Sequence, residues 1–312
     1  MVKEPSSSSG VIQGSYKEAN CGSYAIVKPW NAARLHNLAG IRFSCYIQPW
    51  LPDAKHEQVL ISTLDVNYGS GFAATIDHTG TISIYVGNGT TISKFDTAIT
   101  LQRWKWVELE LCIVGETLVA DVRPQGRLAE IAPRPSHYVK RLDFAAKLDG
   151  LKPLTLAAGY FSDASTSSPQ ATNIFNGRLD SPHISTSLDG LTYNTWAKFD
   201  FSLDMSSDTI VDTSGNAHHG ALVNAPTRAV KGFNWDGSEP DWTKAKYGYG
   251  AIHFHDDDLD DAAWSTDFTI QLPTSALSGA YAVIVQGVDE AANISDHITF
   301  FVRPPPADEP HV

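Results

Sequence analysis

A chain of 312 residues is long enough to bury a full core and, because single cores stop growing near ~250 residues, to hold two domains. Its 23 basic and 35 acidic residues leave a net charge of -12, and the few Lys and Arg are scattered, which excludes nucleic acid and anionic membrane surfaces as partners. No apolar run approaches the ~20 residues of a membrane helix, and Cys21, Cys45 and Cys112 lack C-x-x-C spacing, so the expectation is a soluble, unexported protein with reduced thiols in the cytoplasm.

In chain order, residues 1–13 carry the Ser-rich stretch PSSSSG and predict a flexible lead-in, because too few apolar side chains are present to offset the entropy of ordering. A period of two then dominates. In IRFSCYIQ, Ile41, Phe43, Cys45 and Ile47 share one face while Arg42, Ser44, Tyr46 and Gln48 take the other. GFAATI groups Phe72, Ala74 and Ile76, and TISIYV groups Ile82, Ile84 and Val86. WVELELCIV sets Val107, Leu109, Leu111 and Ile113 opposite Glu108 and Glu110. Glycine-bearing turns, DHTG, GNG and IVGE, separate these runs. Short alternating strands divided by turns predict an all-β jelly-roll sandwich, because each apolar face must be buried against a second sheet. It is placed over residues 14–255. The single helix candidate is YVKRLDFAAKLDG, with Val139, Leu142, Phe144 and Leu148 on one side before Gly150.

Beyond it, DFTIQL, AYAVIV and HITFFV show three further strand patterns, carried by Phe268, Ile270 and Leu272, by Tyr281, Val283 and Val285, and by Ile298, Phe300 and Val302. They predict a small immunoglobulin-like β domain over residues 256–304. Residues 305–312 read as a Pro-rich linker leading to a further domain.

Two polar clusters invite chemistry. AIHFHDDDLDDAAW places Asp256, Asp258 and Asp260 at the one-three-five spacing of a calcium loop, with Asp267 at the twelfth place. Asp261 stands where that loop wants glycine, and strands rather than helices flank it. His255, Asp256, Asp258 and Asp260 are therefore candidate divalent-cation ligands, calcium being the ion they suit; the alternative is a turn whose aspartates cap backbone amides. His253 and His255 lie on one strand face without a third histidine to close a transition-metal site. DTSGNAHHG reads as a surface turn in which Gly215 supplies positive backbone angles, and the adjacent His218 and His219 diverge if extended. No G-x-S-x-G nucleophile motif occurs. Glu108 and Glu110 share a face and would suit a glycan hydrolase acid and base, although solvent-side glutamates are commoner.

FNGRLDSPHIS, Phe175 to Ser185, is similar to the closing segment of laminin-G-like (concanavalin A-like) jelly rolls. The block from Trp196 to Trp235, with YGYGAIHFHDDDLDDAAWSTDFTIQLP and the FFVRPP strand, resembles the N-terminal half of the N,N-dimethylformamidase large (beta) subunit family. That resemblance implies a separate catalytic domain, in which a mononuclear iron held by two tyrosines and a glutamate hydrolyses formamides. Nothing in this chain matches that region, so no catalytic residue carries over. The implied role is a non-catalytic assembly region, with the catalytic part of the large subunit, a small subunit and further copies as partners. Two other classes fit the residues: a lectin-like module stacking sugars on Trp30, Trp50, Trp104 and Trp106, and a glycan hydrolase resting on the glutamate pair alone.

Overall fold

The computed structural model describes residues 22–27, 38–125, 135–149, 152–159, 171–256, 268–273, 275–287 and 294–302. The chain divides into two compact units, Ser15–Asp260 and one containing Asp261–Val312. The described residues are all-β apart from one 3-10 turn, Lys246–Tyr249.

The first unit opens with β1 (Tyr24–Val27), β2 (Gly40–Pro49), β3 (Gln58–Ser62), β4 (Phe72–Ile76), β5 (Thr81–Gly87) and β6 (Ile92–Thr100). It continues through β7 (Val107–Val114), β8 (Thr117–Pro124), β9 (Ser136–Arg141), β10 (Leu154–Leu156) and β11 (Gly177–Ser187). The last strands are β12 (Asn194–Asp200), β13 (Thr209–Asp212), β14 (Gly220–Val223), β15 (Thr227–Val230) and β16 (Ala251–Phe254). One sheet runs β6-β5-β4-β3-β10-β1-β14-β13, and the other runs β12-β11-β2-β7-β8-β9 with β16 and β15 added beside β11. Two residue pairs between β12 and β13 join them along one edge. Every neighbouring pair is antiparallel, the arrangement that short glycine turns allow.

The apolar faces expected from the alternation meet between the sheets. Ile41, Phe43, Leu109, Leu111 and Leu179 from one sheet form a single cluster with Ile61, Phe72, Ile84 and Leu156 from the other. In β7 buried and half-buried residues alternate without a break. Strand β4 differs, for all five of its residues are buried. Its second face is covered by polar contacts: the Thr75 hydroxyl donates to Glu57 at 2.9 Å, and the Tyr85 hydroxyl donates to both oxygens of the same carboxylate.

The helix expected over residues 138–150 does not form. Residues through Arg141 belong to β9, whose backbone pairs with β8 from Thr117↔Arg141 to Val122↔Ser136. A free edge on β8 offers this segment a ladder of backbone hydrogen bonds, which outweighs a weak helical period. Leu142 and Leu148 are still buried, as loop residues, while Val139 is 55% exposed. In the second unit β17 (Gly279–Gln286) and β18 (Ser295–Val302) form a hairpin with full register from Gly279↔Val302 to Gln286↔Ser295. The strand expected over DFTIQL is not present in described residues 268–273.

Strand β11 decides where the functional side chains stand. Its first half pairs with β2 on one side and β16 on the other; after a bulge between Asp180 and His183 it keeps β2 but exchanges β16 for β12. The sequence at the bulge is DSPH. Ser181 adopts φ +50, and Pro182 has no N–H to give a ladder, so the pairing must break there.

Candidate functional site

Three polar regions gather around β2 and β11. The first holds the described part of the aspartate loop. Asp256 follows β16 and is held from two sides: Asn176 Nδ2 donates to Oδ1 at 2.7 Å, and His56 Nε2 lies 3.1 Å from Oδ2. Asn176 is itself fixed, its amide donating to Gln58 Oε1 at 2.8 Å while its carbonyl accepts from the Trp50 amide at 3.0 Å. The His255 amide donates to the Ser23 hydroxyl at 3.1 Å, and its ring lies over that of His253 with centroids 6.3 Å apart. Asp258 and Asp260 lie outside the described residues. Among those described, no three His, Cys, Asp or Glu side chains come together as a metal site. With Asp256 already bonded on both oxygens, calcium is expected to leave the melting midpoint unchanged. A calorimetric series in calcium and in chelator checks this: a midpoint that climbs with calcium and is lost in Asp256→Asn plus Asp258→Asn would establish a cation site instead.

The second region is aromatic. Trp50 and Trp104 meet edge to face with centroids 6.5 Å apart, and His253 stands 4.5 Å from Trp50. The Arg178 guanidinium lies 5.2 Å from the Trp50 ring and that of Arg103 5.8 Å from Trp104. Trp104 is exposed and held at φ +61; Trp106 is half-buried nearby, and Trp30 lies outside the described residues.

Of the third region, only Glu110 was singled out from the sequence. On the solvent face of β7, β2 and β11, a cavity of about 320 Å³ is lined by Arg42 and Ser44 of β2, Glu110 of β7, His183 and Ser185 of β11, and Tyr193 from the loop before β12. Antiparallel register assembles it. Ser44 is opposite both Glu110 and His183, while Arg42 is opposite both Cys112 and Ser185. The Arg42 guanidinium sits 3.9 Å from the centre of the Tyr193 ring. His183 Nε2 is 3.0 Å from the Thr195 hydroxyl and 3.3 Å from that of Ser185. Burial, assisted by Lys198, holds the His183 pKa below its ordinary value, so the ring is neutral at physiological pH. Asp189 accepts the Leu191 and Thr192 amides at 2.8 and 2.7 Å, which shapes the loop presenting Tyr193. These local hydrogen bonds, with that from the Ser187 hydroxyl, keep the Asp189 carboxyl well below the usual range. Glu108 and Glu110, the suggested acid and base, are both bound by Arg123, at 3.4 and 2.8 Å. They form one ion-pair network on the sheet surface.

The DTSGNAHHG segment is a turn joining β13 to β14. Asp212 organises it by accepting the amides of Lys198, Ser214 and His218, and Gly215 has φ +88. The two histidines diverge: His218 stacks on Trp196 at 4.2 Å, and His219 Nδ1 accepts the Asp212 amide.

Asp180, the aspartate of FNGRLD, is buried at the β11 bulge. Oδ1 accepts the Ser181 hydroxyl at 2.8 Å, while Oδ2 is buried with no hydrogen-bond partner among the described residues; the Ser181 hydroxyl and the nearby Phe233 amide favour the charged form but are outweighed by burial. Burial, with a smaller contribution from the charge of Asp200, pushes its pKa up to about 7. Glycine at position 232 leaves room for the carboxylate: a Cβ there would collide with Oδ2.

The described residues do not match the iron donors implied by the resemblance. Tyr85 with Glu57 joins one tyrosine to a glutamate, and the further partner of that carboxylate is Lys94 at 3.1 Å. Burial and the neighbouring Glu57 raise the Tyr85 pKa, favouring a neutral phenol that donates to Glu57 over a metal-binding phenolate.

Comparison with known proteins places these features in context. Residues 227–312 match the model of the family described as "N,N-dimethylformamidase beta subunit-like, C-terminal". Among curated proteins, the N,N-dimethylformamidase beta subunit of Paracoccus aminophilus is 37% identical over 149 residues, which cover 42% of this chain and 19% of that protein. That of an Alcaligenes species is 41% identical over 114 residues, covering 35% and 14%. The chain therefore spans about a fifth or less of the length of these relatives. Among solved structures, domains LG4-5 of the mouse laminin alpha1 chain align with TM-score 0.37 and 12% identity over 56% of this chain and 42% of that one. The LG1-3 region of the laminin alpha2 chain aligns with TM-score 0.37 and 14% identity over 57% and 32%. The matched family segment begins at residue 227, in β15, inside the first unit and ahead of the unit boundary after Asp260.

Proposed function

We propose, on the premise that residues 227–312 match the N,N-dimethylformamidase beta subunit-like family, that the chain forms a non-catalytic assembly region of a formamide-hydrolysing enzyme. The observation that carries this reading is the 37% identity over 149 residues to a named beta subunit, of which the chain covers 19%. The rest of such a subunit supplies the iron centre and breaks the C–N bond. The small subunit and further copies of the chain complete the assembly. The free thiols of Cys45 and Cys112 suit the reducing cytoplasm. Burial raises the pKa of the Cys45 thiol, which keeps it protonated and inert.

Mixing the purified chain with the catalytic remainder of the large subunit and with the small subunit tests both halves of the reading. Light scattering should record a complex containing all three, and dimethylamine release should occur only when the catalytic remainder is present. The chain alone should turn over dimethylformamide no faster than buffer, with or without ferrous iron. Turnover by the chain alone would refute the non-catalytic role, and separate elution of the components would refute the assembly role.

A further inference from the structure

We propose that the cavity on the outer face of β7, β2 and β11 binds a neutral polyhydroxyl ligand, the hexose ring of a glycan. This inference is independent of the formamidase reading, and it involves none of the tryptophans singled out from the sequence.

Three adjacent strands floor the cavity, so its polar side chains spread over two strand spacings, roughly 9.6 Å, about the reach of one sugar ring with its substituents. The volume of about 320 Å³ accommodates such a ring. Chemistry then narrows the ligand. Arg42 has no carboxylate within 4 Å among the described residues; it lies over the face of Tyr193 with the Cys112 thiol beside it, and a guanidinium with five N–H groups keeps donors for a ligand. Glu110 lines the cavity and binds Arg123 through Oε2, which leaves Oε1 as a further acceptor. Beside them are the hydroxyls of Ser44 and Ser185, each able to donate or accept, and the neutral His183, while the Tyr193 hydroxyl lies against the Cys112 thiol at 3.7 Å and its ring backs Arg42.

An anion drawn to Arg42 would be repelled by Glu110. A cation drawn to Glu110 would be repelled by Arg42. A neutral ligand with vicinal hydroxyls meets neither penalty, because each hydroxyl accepts from the guanidinium through oxygen and donates to the carboxylate through hydrogen. Such charge-assisted hydrogen bonds are roughly twice as strong as neutral ones. The lining has little apolar surface, so a single ring is held weakly, with a Kd of about 1 mM.

Saturation-transfer NMR and calorimetry on the full chain, with methyl glucoside, methyl galactoside, maltose and cellobiose as neutral probes and glucuronate and glucosamine as charged ones, test the proposal. At least one neutral probe should bind near the millimolar range, and the charged probes at least about tenfold more weakly, a difference of about 1.4 kcal/mol. Arg42→Ala and Ser185→Ala alter outward-facing positions and leave the core intact, which circular dichroism checks; each should weaken binding about tenfold or more. Trp104→Ala, outside the cavity, should leave it unchanged. Failure of all four neutral probes to bind below ~50 mM, tighter binding of glucuronate or glucosamine, or binding that survives Arg42→Ala would each overturn the assignment.

Discussion

Asp180→Asn is expected to stabilise the protein at pH 8 and to flatten its pH dependence between pH 4 and 7. The folded carboxyl has a pKa of about 7, against an ordinary value of 3.8. Between those values the folded chain binds more protons than the unfolded chain, so stability falls as pH rises. The contribution is fully present below the unfolded pKa and is lost by the time the pH passes the folded one. The distance between the two values corresponds to about 4 kcal/mol, at 1.36 kcal/mol for each tenfold change in proton affinity. Asp77 and Asp212 act in the opposite sense. Their pKa values are lowered by hydrogen bonds from Thr79 and Thr81, and from Lys198 and Ser214, so they stabilise above their unfolded pKa and cease to do so on acidification below pH 4. Together these three groups favour the interval between about pH 4 and pH 7. Thermal melts of wild type and Asp180→Asn from pH 3 to 9 check it. A variant less stable than wild type at pH 8 would mean that the ionised carboxylate has a compensating partner.

Arg228→Lys is expected to cost about 3 kcal/mol, because hydrogen bonds from charged donors each contribute about 1.5–3 kcal/mol and several would be lost together. Arg228 Nη1 donates to the carbonyls of Asp204, Ser207 and Thr209 at 2.8, 2.7 and 2.9 Å, and Nη2 donates to those of Phe201 and Leu203 at 3.1 and 2.9 Å. One planar group thus closes the whole loop between β12 and β13. A lysine ammonium carries the same charge as a point with three donors and cannot span five carbonyls. For a unit of this size the loss lowers the thermal midpoint by about 6–12 °C. Urea unfolding should show a reduced midpoint at unchanged slope. A midpoint within about 2 °C of wild type would show that the loop is held without the clamp.

Arg228 illustrates what was hidden. It lies in a short strand with no motif around it, and its five acceptors are backbone atoms 19 to 27 residues earlier, which side-chain patterning does not reveal. Asp180 was partly visible. It belongs to a recognisable FNGRLD run, but its raised pKa depends on burial at a bulge and on the space left by Gly232, far along the chain. The helix misread over residues 138–150 has the same origin: a local period weighed against an edge that exists only after β8 is in place.

The period of two, by itself, determined the strands β2, β4, β5, β7, β17 and β18, which residues face inward on β2 and β7, and the all-β class, because a pleated strand alternates its side chains whatever it packs against. Sequence motifs also pointed to the family whose model matches residues 227–312. Strand order and register were decided only by the tertiary structure. The outward positions of Arg42, Ser44 and Glu110 follow from alternation, yet their meeting with His183, Ser185 and Tyr193 requires β2 to lie between β7 and β11. That order is set by how two apolar faces fill one core, a long-range condition that no local spacing encodes.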